Sequence, residues 1–111
     1  MRSLVVALML VLAGCSTTNY TVLGLKNVSE TCEKNGYSTM VDLTSCQRRG
    51  MMPIIENNYP RWAQIFAKYF DEGMELSVMA DRKEISTAEF GNRSRDLGER
   101  LERQVKSASA N

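Results

Sequence analysis

The chain contains no histidine, and that absence removes a large part of enzyme chemistry at the outset. Without an imidazole there is no side chain that ordinarily changes charge near neutral pH, no Ser–His or Cys–His pair and no nitrogen ligand for zinc. The seven glycines are scattered rather than gathered into a loop that could cradle phosphate, and no nucleophile has a base at a recognisable spacing. An excess of charge of one sign is missing too, since 14 basic residues face 13 acidic ones. The sequence therefore carries neither the electrostatic footprint of a nucleic-acid binder nor the polybasic stretch that seeks anionic lipid. No nucleic acid, no small-molecule substrate, no cofactor and no metal is expected, and the protein is not expected to be an enzyme.

Long apolar runs are equally scarce, and the one present opens the chain. Residues 4–12 follow the positive charge of Met1 and Arg2, Ala13 and Gly14 precede Cys15, and Ser16, Thr17, Thr18 and Asn19 then turn the chain polar. A charged start, a short apolar stretch and small residues before a cut form a secretory signal. The stretch is too short for a permanent span, which needs about 20 residues.

Leu12, Ala13, Gly14 and Cys15 resemble the lipobox of bacterial lipoprotein precursors. The resemblance implies that residues 1–14 are a signal peptide. It also implies that Cys15 is lipidated, becomes the first residue of the mature chain and tethers it to a membrane through acyl chains such as palmitate. Each buried methylene of such chains contributes about 0.8 kcal/mol. Ser16 stands where an Asp would favour inner-membrane retention, which implies the outer membrane, facing the periplasm. Removal of the signal takes Arg2 with it, and the basic residues come level with the 13 acidic ones.

With Cys15 assigned to lipid, Cys32 and Cys46 are an even pair in a compartment where disulfides persist. The loop they would close, about 15 residues, is worth roughly 3 kcal/mol by chain entropy. Two reduced thiols, or a metal site short of ligands, are the alternatives. Around the pair, Ser29 is expected to cap a short helix ending at Lys34, Asn35 and Gly36 to stop it, and Ser38 to cap a second. The stretch "CEKNGYSTMVDLTSC" resembles one met in small proteobacterial envelope lipoproteins of unassigned function, carried by Cys32, Gly36, Tyr37, Leu43 and Cys46. That resemblance implies an exported structural hairpin and no chemistry.

Both prolines fall in "MMPIIENNYP", which predicts a break or kink near Pro53 and a helix start at Pro60 with Asn58 or Tyr59 as its cap. A single long helix kinked twice is the alternative. From Pro60, the residues Trp62, Ile65, Phe66, Tyr69, Phe70, Met74, Leu76, Val78 and Met79 recur at spacings of three and four, an amphipathic helix with a broad apolar face. Gly73 in its middle suggests a close helix crossing. The face is either the core of a small bundle or a surface for a partner or a membrane.

After "DRKEIS", Ser86, Thr87, Ala88 and Glu89 fit a capping box with Ile85 and Phe90 as its staple, and a helix is predicted from Thr87 to about Ser107. Four acid-first pairs support it: Glu89 with Arg93, Asp96 with Arg100, Glu99 with Arg103 and Glu102 with Lys106. Phe90, Leu97, Leu101 and Val105 form its apolar line. "EISTAEF" and the helix after it resemble the second arm of helical hairpins in exported bacterial proteins. Glu72 and Glu75 share a face and could hold a cation weakly, although solvated acids are the simpler reading.

The expected fold is all-α: a short Cys32/Cys46 helical hairpin plus a longer antiparallel helix pair. The expected organisation is a signal peptide at 1–14, a lipidated N-terminus and linker at 15–26, and a helical domain at 27–111. The expected role is a lipid-anchored, non-enzymatic interaction or assembly module at the outer membrane. Its docking face on an envelope partner would be Trp62, Phe66, Tyr69 and Phe70, or residues 51–55. The alternative is a structural protein that lays the same aromatic face on the bilayer.

Overall fold

The structure, a computed structural model, describes residues 19–110. The predicted signal, Cys15, Ser16, Thr17 and Thr18 lie outside that range. Four helices follow in order: α1 (Asn19–Lys34), α2 (Met40–Asn58), α3 (Ala63–Asp81) and α4 (Thr87–Ala110), with a 3-10 turn at Pro60–Trp62 leading into α3. No strand occurs among the described residues, and the all-α expectation holds. Close backbone approaches follow chain order, α1 on α2, α2 on α3 and α3 on α4, and the particle measures 40 × 26 × 20 Å. No helix among the described residues is long and apolar enough to cross a membrane.

The first hairpin is longer than expected. Ser29 does not cap a helix but lies fully buried in the middle of α1, and the boundary expected at residues 26 and 27 falls inside that helix, where Leu25 is fully buried. The stripe Leu25, Val28, Ser29 and Cys32 has helical spacing, but its serine hides it from a hydrophobicity pattern. Three cross-helix pairs fix the register. A β-carbon on Gly24 would lie 3.4 Å from Ile54, one on Gly50 would lie 2.5 Å from Val28, and Cys32 is disulfide-bonded to Cys46 across a Cα separation of 5.9 Å. Each pair of residue numbers has the same total, as antiparallel helices require. Glycine alternates sides along the seam, so the two backbones approach closely.

α1 ends where it was expected to. Gly36 takes φ +83°, the left-handed stop that favours glycine. The cap of α2, however, is Thr39 rather than Ser38, with its Oγ1 accepting from the Asp42 N–H at 3.1 Å. Asp81 reinforces it from the end of α3, accepting from Met40 N–H at 2.8 Å and from Val41 N–H at 3.0 Å.

Pro53 does not end α2, which runs through it to Asn58. A mid-helix proline costs about 3 kcal/mol. Met51 and Ile55 on either side are fully buried, and each such side chain contributes about 1.5–3 kcal/mol. The helix therefore continues, with Pro53 itself exposed. Pro60 starts a 3-10 turn rather than the α-helix, which begins at Ala63 behind it.

α2 and α3 are antiparallel and joined by a buried polar contact. Ser77 Oγ donates to the Gly73 carbonyl at 2.8 Å, which leaves Thr44 Oγ1 to donate to Ser77 Oγ, also at 2.8 Å. Gly73 is not the close crossing expected of it, because a β-carbon there would meet nothing within 4 Å. α3 closes with a Schellman motif: Glu84 N–H donates to the Met79 carbonyl and Lys83 N–H to the Ala80 carbonyl, with Lys83 at φ 59°. Ser86 then caps α4 as the sequence predicts, its Oγ accepting from Glu89 N–H at 3.0 Å.

Candidate functional site

The aromatic residues predicted as a docking face form a continuous ladder. Tyr59 stacks on Trp62 with ring centroids 4.4 Å apart, Trp62 to Phe66 is 6.2 Å, Phe66 to Tyr69 is 6.4 Å, and Tyr69 to Phe70 is 5.3 Å. Offset and edge-on pairs at these distances are favourable beyond the area they bury. The ladder faces inward: Trp62 is 2% exposed, Phe66 0%, Tyr69 7% and Phe70 2%. These four residues belong to the core with Leu25, Met51, Ile55, Leu101 and Val105, so they present no face to a partner or to a bilayer. Of residues 51–55, Met51 and Ile55 are fully buried in the same core, while Met52 and Ile54 are half-buried and Pro53 is exposed. The breadth of the apolar stripe on α3 comes from contact with α2 on one side and α4 on the other.

Burial pushes the Tyr69 hydroxyl well above the ordinary tyrosine pKa. Tyr69 lines a water-sized space of about 10 Å³ between α3 and α4, together with Lys68, Glu72, Arg100 and Gln104.

The acids Asp71 and Glu72 are engaged by neighbouring helices. Asp71 pairs with Arg48 of α2 at 2.8 Å, and Glu72 pairs with Arg100 of α4 at 3.4 Å. Among the described residues, no three His, Cys, Asp or Glu are gathered to hold a metal ion. Of the four pairs expected along α4, Glu89 with Arg93 and Glu102 with Lys106 are made, at 3.1 and 3.0 Å. Arg100 reaches across to α3 instead of back to Asp96.

Grooves at the surface of the described residues include three of appreciable volume. The first lies between α3 and α4, about 280 Å³, with Leu76, Met79 and Leu97 among its lining and Glu75, Arg93 and Asp96 as charges. The second, about 160 Å³, lies at the loop end beside Met40, Ile85 and Phe90. The third, about 370 Å³, is formed by residues 58–62 with Ala108 and Ser109 of α4.

Sequence reasoning missed Asp81, Thr44 and Ser77. Their partners lie 33 to 41 positions away, and nothing local marks them. The paired cysteines were read correctly. The chain matches no protein-family model, no curated protein and no solved structure. Functional inference therefore rests on its own residues.

Proposed function

We propose that this protein is a lipid-anchored envelope protein, exported and then held at the outer membrane through Cys15, where its helical domain acts as a non-enzymatic interaction or assembly module. One observation carries the reading. Cys32 and Cys46 consume each other in a disulfide, so Cys15 is the cysteine left over, and it stands directly after Leu12, Ala13 and Gly14 at the end of the opening apolar run. A disulfide between two helices of so small a domain suits an oxidising compartment, and the lipobox resemblance supplies the route there.

Burial of Trp62, Phe66, Tyr69 and Phe70 moves the interaction role elsewhere. The α3–α4 groove supports it better, because Leu76, Met79 and Leu97 give an apolar floor and Glu75, Arg93 and Asp96 a charged rim on which an envelope protein could register.

The test is metabolic labelling with an alkyne-bearing palmitate, followed by membrane fractionation and crosslinking in native envelopes. Wild-type protein should take up the label, fractionate with the outer membrane and crosslink to a specific protein through the groove, and Cys15→Ser should lose the label and the fractionation. Unlabelled wild-type protein in the soluble fraction would overturn the anchor, and the absence of any crosslinked protein above background would overturn the interaction role.

A further inference from the structure

The antiparallel register decides which end of the domain faces the anchor. Gly24 lies against Ile54, so the start of α1 at Asn19 is at the same end as residues 58–62, and the groove there is completed by Ala108 and Ser109 at the end of α4. The loops at 35–39 and 82–86 lie at the other end of a particle 40 Å long. Cys15 precedes Asn19 by only four positions, a reach of roughly 14 Å even when fully extended.

The anchored end has a composition suited to a lipid interface. Arg61 is exposed and makes no salt bridge among the described residues. Beside it are exposed Pro60 and half-buried Tyr59, whose ring stacks on Trp62 and borders the groove of about 370 Å³. Tyrosine favours the headgroup region, and a cation there meets lipid phosphate.

We infer that residues 59–61 are a second, non-covalent membrane contact, in which Arg61 binds the phosphate of a phospholipid headgroup and Tyr59 lies at the interface, standing the bundle on end with its 82–86 loop pointing away from the membrane. The inference rests on the proposed lipidation of Cys15. It differs from a bilayer-lying aromatic face, because the contact is one turn at one end and the core stays closed.

Trp62 is the single tryptophan of the chain and reports on this end directly. Lipidated protein is placed on vesicles of phosphatidylethanolamine and phosphatidylglycerol carrying a nitroxide at the headgroup, and flotation and tryptophan quenching are read together. Wild-type protein should float and be quenched. Arg61→Gln should float equally but make the headgroup contact about fivefold less, the effect of removing one cation from an anionic surface. Added salt should likewise release the wild-type contact without releasing the protein. Flotation with the same quenching in wild type and Arg61→Gln would show that the tether alone sets the distance and would overturn the contact while leaving the anchor intact. Failure of the wild type to float would remove the anchor and the contact with it.

Discussion

Val28 of α1 occupies the space into which a side chain on Gly50 of α2 would grow, its Cγ1 lying 2.5 Å from the position of a β-carbon there. The valine cannot swing away, because a β-branched residue in a helix keeps essentially one χ1 rotamer. Gly50→Ala gains up to about 1 kcal/mol of helix propensity. It meets an overpacking cost of about 1–3 kcal/mol and should lower the melting temperature. Gly73→Ala, with nothing within 4 Å, should raise it. Thermal unfolding by circular dichroism checks both, and a stabilised Gly50→Ala would show that the seam is looser than described.

Asp81 joins the end of α3 to the start of α2 through two charge-assisted hydrogen bonds. Asp81→Ala should cost about 1 kcal/mol, the usual worth of an N-terminal cap. Asp81→Asn, which can still accept, should lose less. Denaturant titration orders the three proteins, and equal midpoints would deny the carboxylate its role.

How much of this was legible in the sequence follows from distance along the chain. The Ser86 cap, the Gly36 stop and the Glu89–Arg93 pair are set by residues within a turn of one another, and all were readable. Asp81 is exposed and looks like any solvated acid until a residue 41 positions away meets it. The aromatic stripe announced its own hydrophobicity but not what covers it, because periodicity describes one helix and burial involves two. Pro53 misled in the other direction: its local penalty was visible, while the anchoring of Met51 and Ile55 that outweighs it belongs to the tertiary fold. The lipobox resemblance at Cys15 is a linear pattern in residues that lie outside those the structure describes.

Removing the bond between Cys32 and Cys46, separated by 14 positions, should destabilise the domain by roughly 3 kcal/mol. The paired Cys32→Ser and Cys46→Ser protein should unfold at correspondingly lower denaturant concentration with a near-native helical spectrum beforehand. Reduction of the wild type should reproduce its midpoint, and indifference of the midpoint to reductant would mean that the bond adds nothing to the helix contacts.

Alkaline pH should weaken the fold through Tyr69. Its hydroxyl is raised above the ordinary 10.0 by burial. The unfolded chain therefore releases this proton first, and the contribution, fully present below about pH 10, is lost as pH rises above it. Tyr69→Phe has no proton to lose, so its stability should fall less steeply over the same range. Parallel pH profiles for the two proteins would contradict the assignment.

The alternation of glycine along the α1–α2 seam has a consequence for how this sequence can drift. Positions 28 and 50 share one volume, so a larger residue at one is tolerated only when the other shrinks. Descendants of this chain should exchange bulk across the seam in matched steps, Val28→Ala accompanying Gly50→Ala, and the two positions should vary together while each alone looks unchangeable.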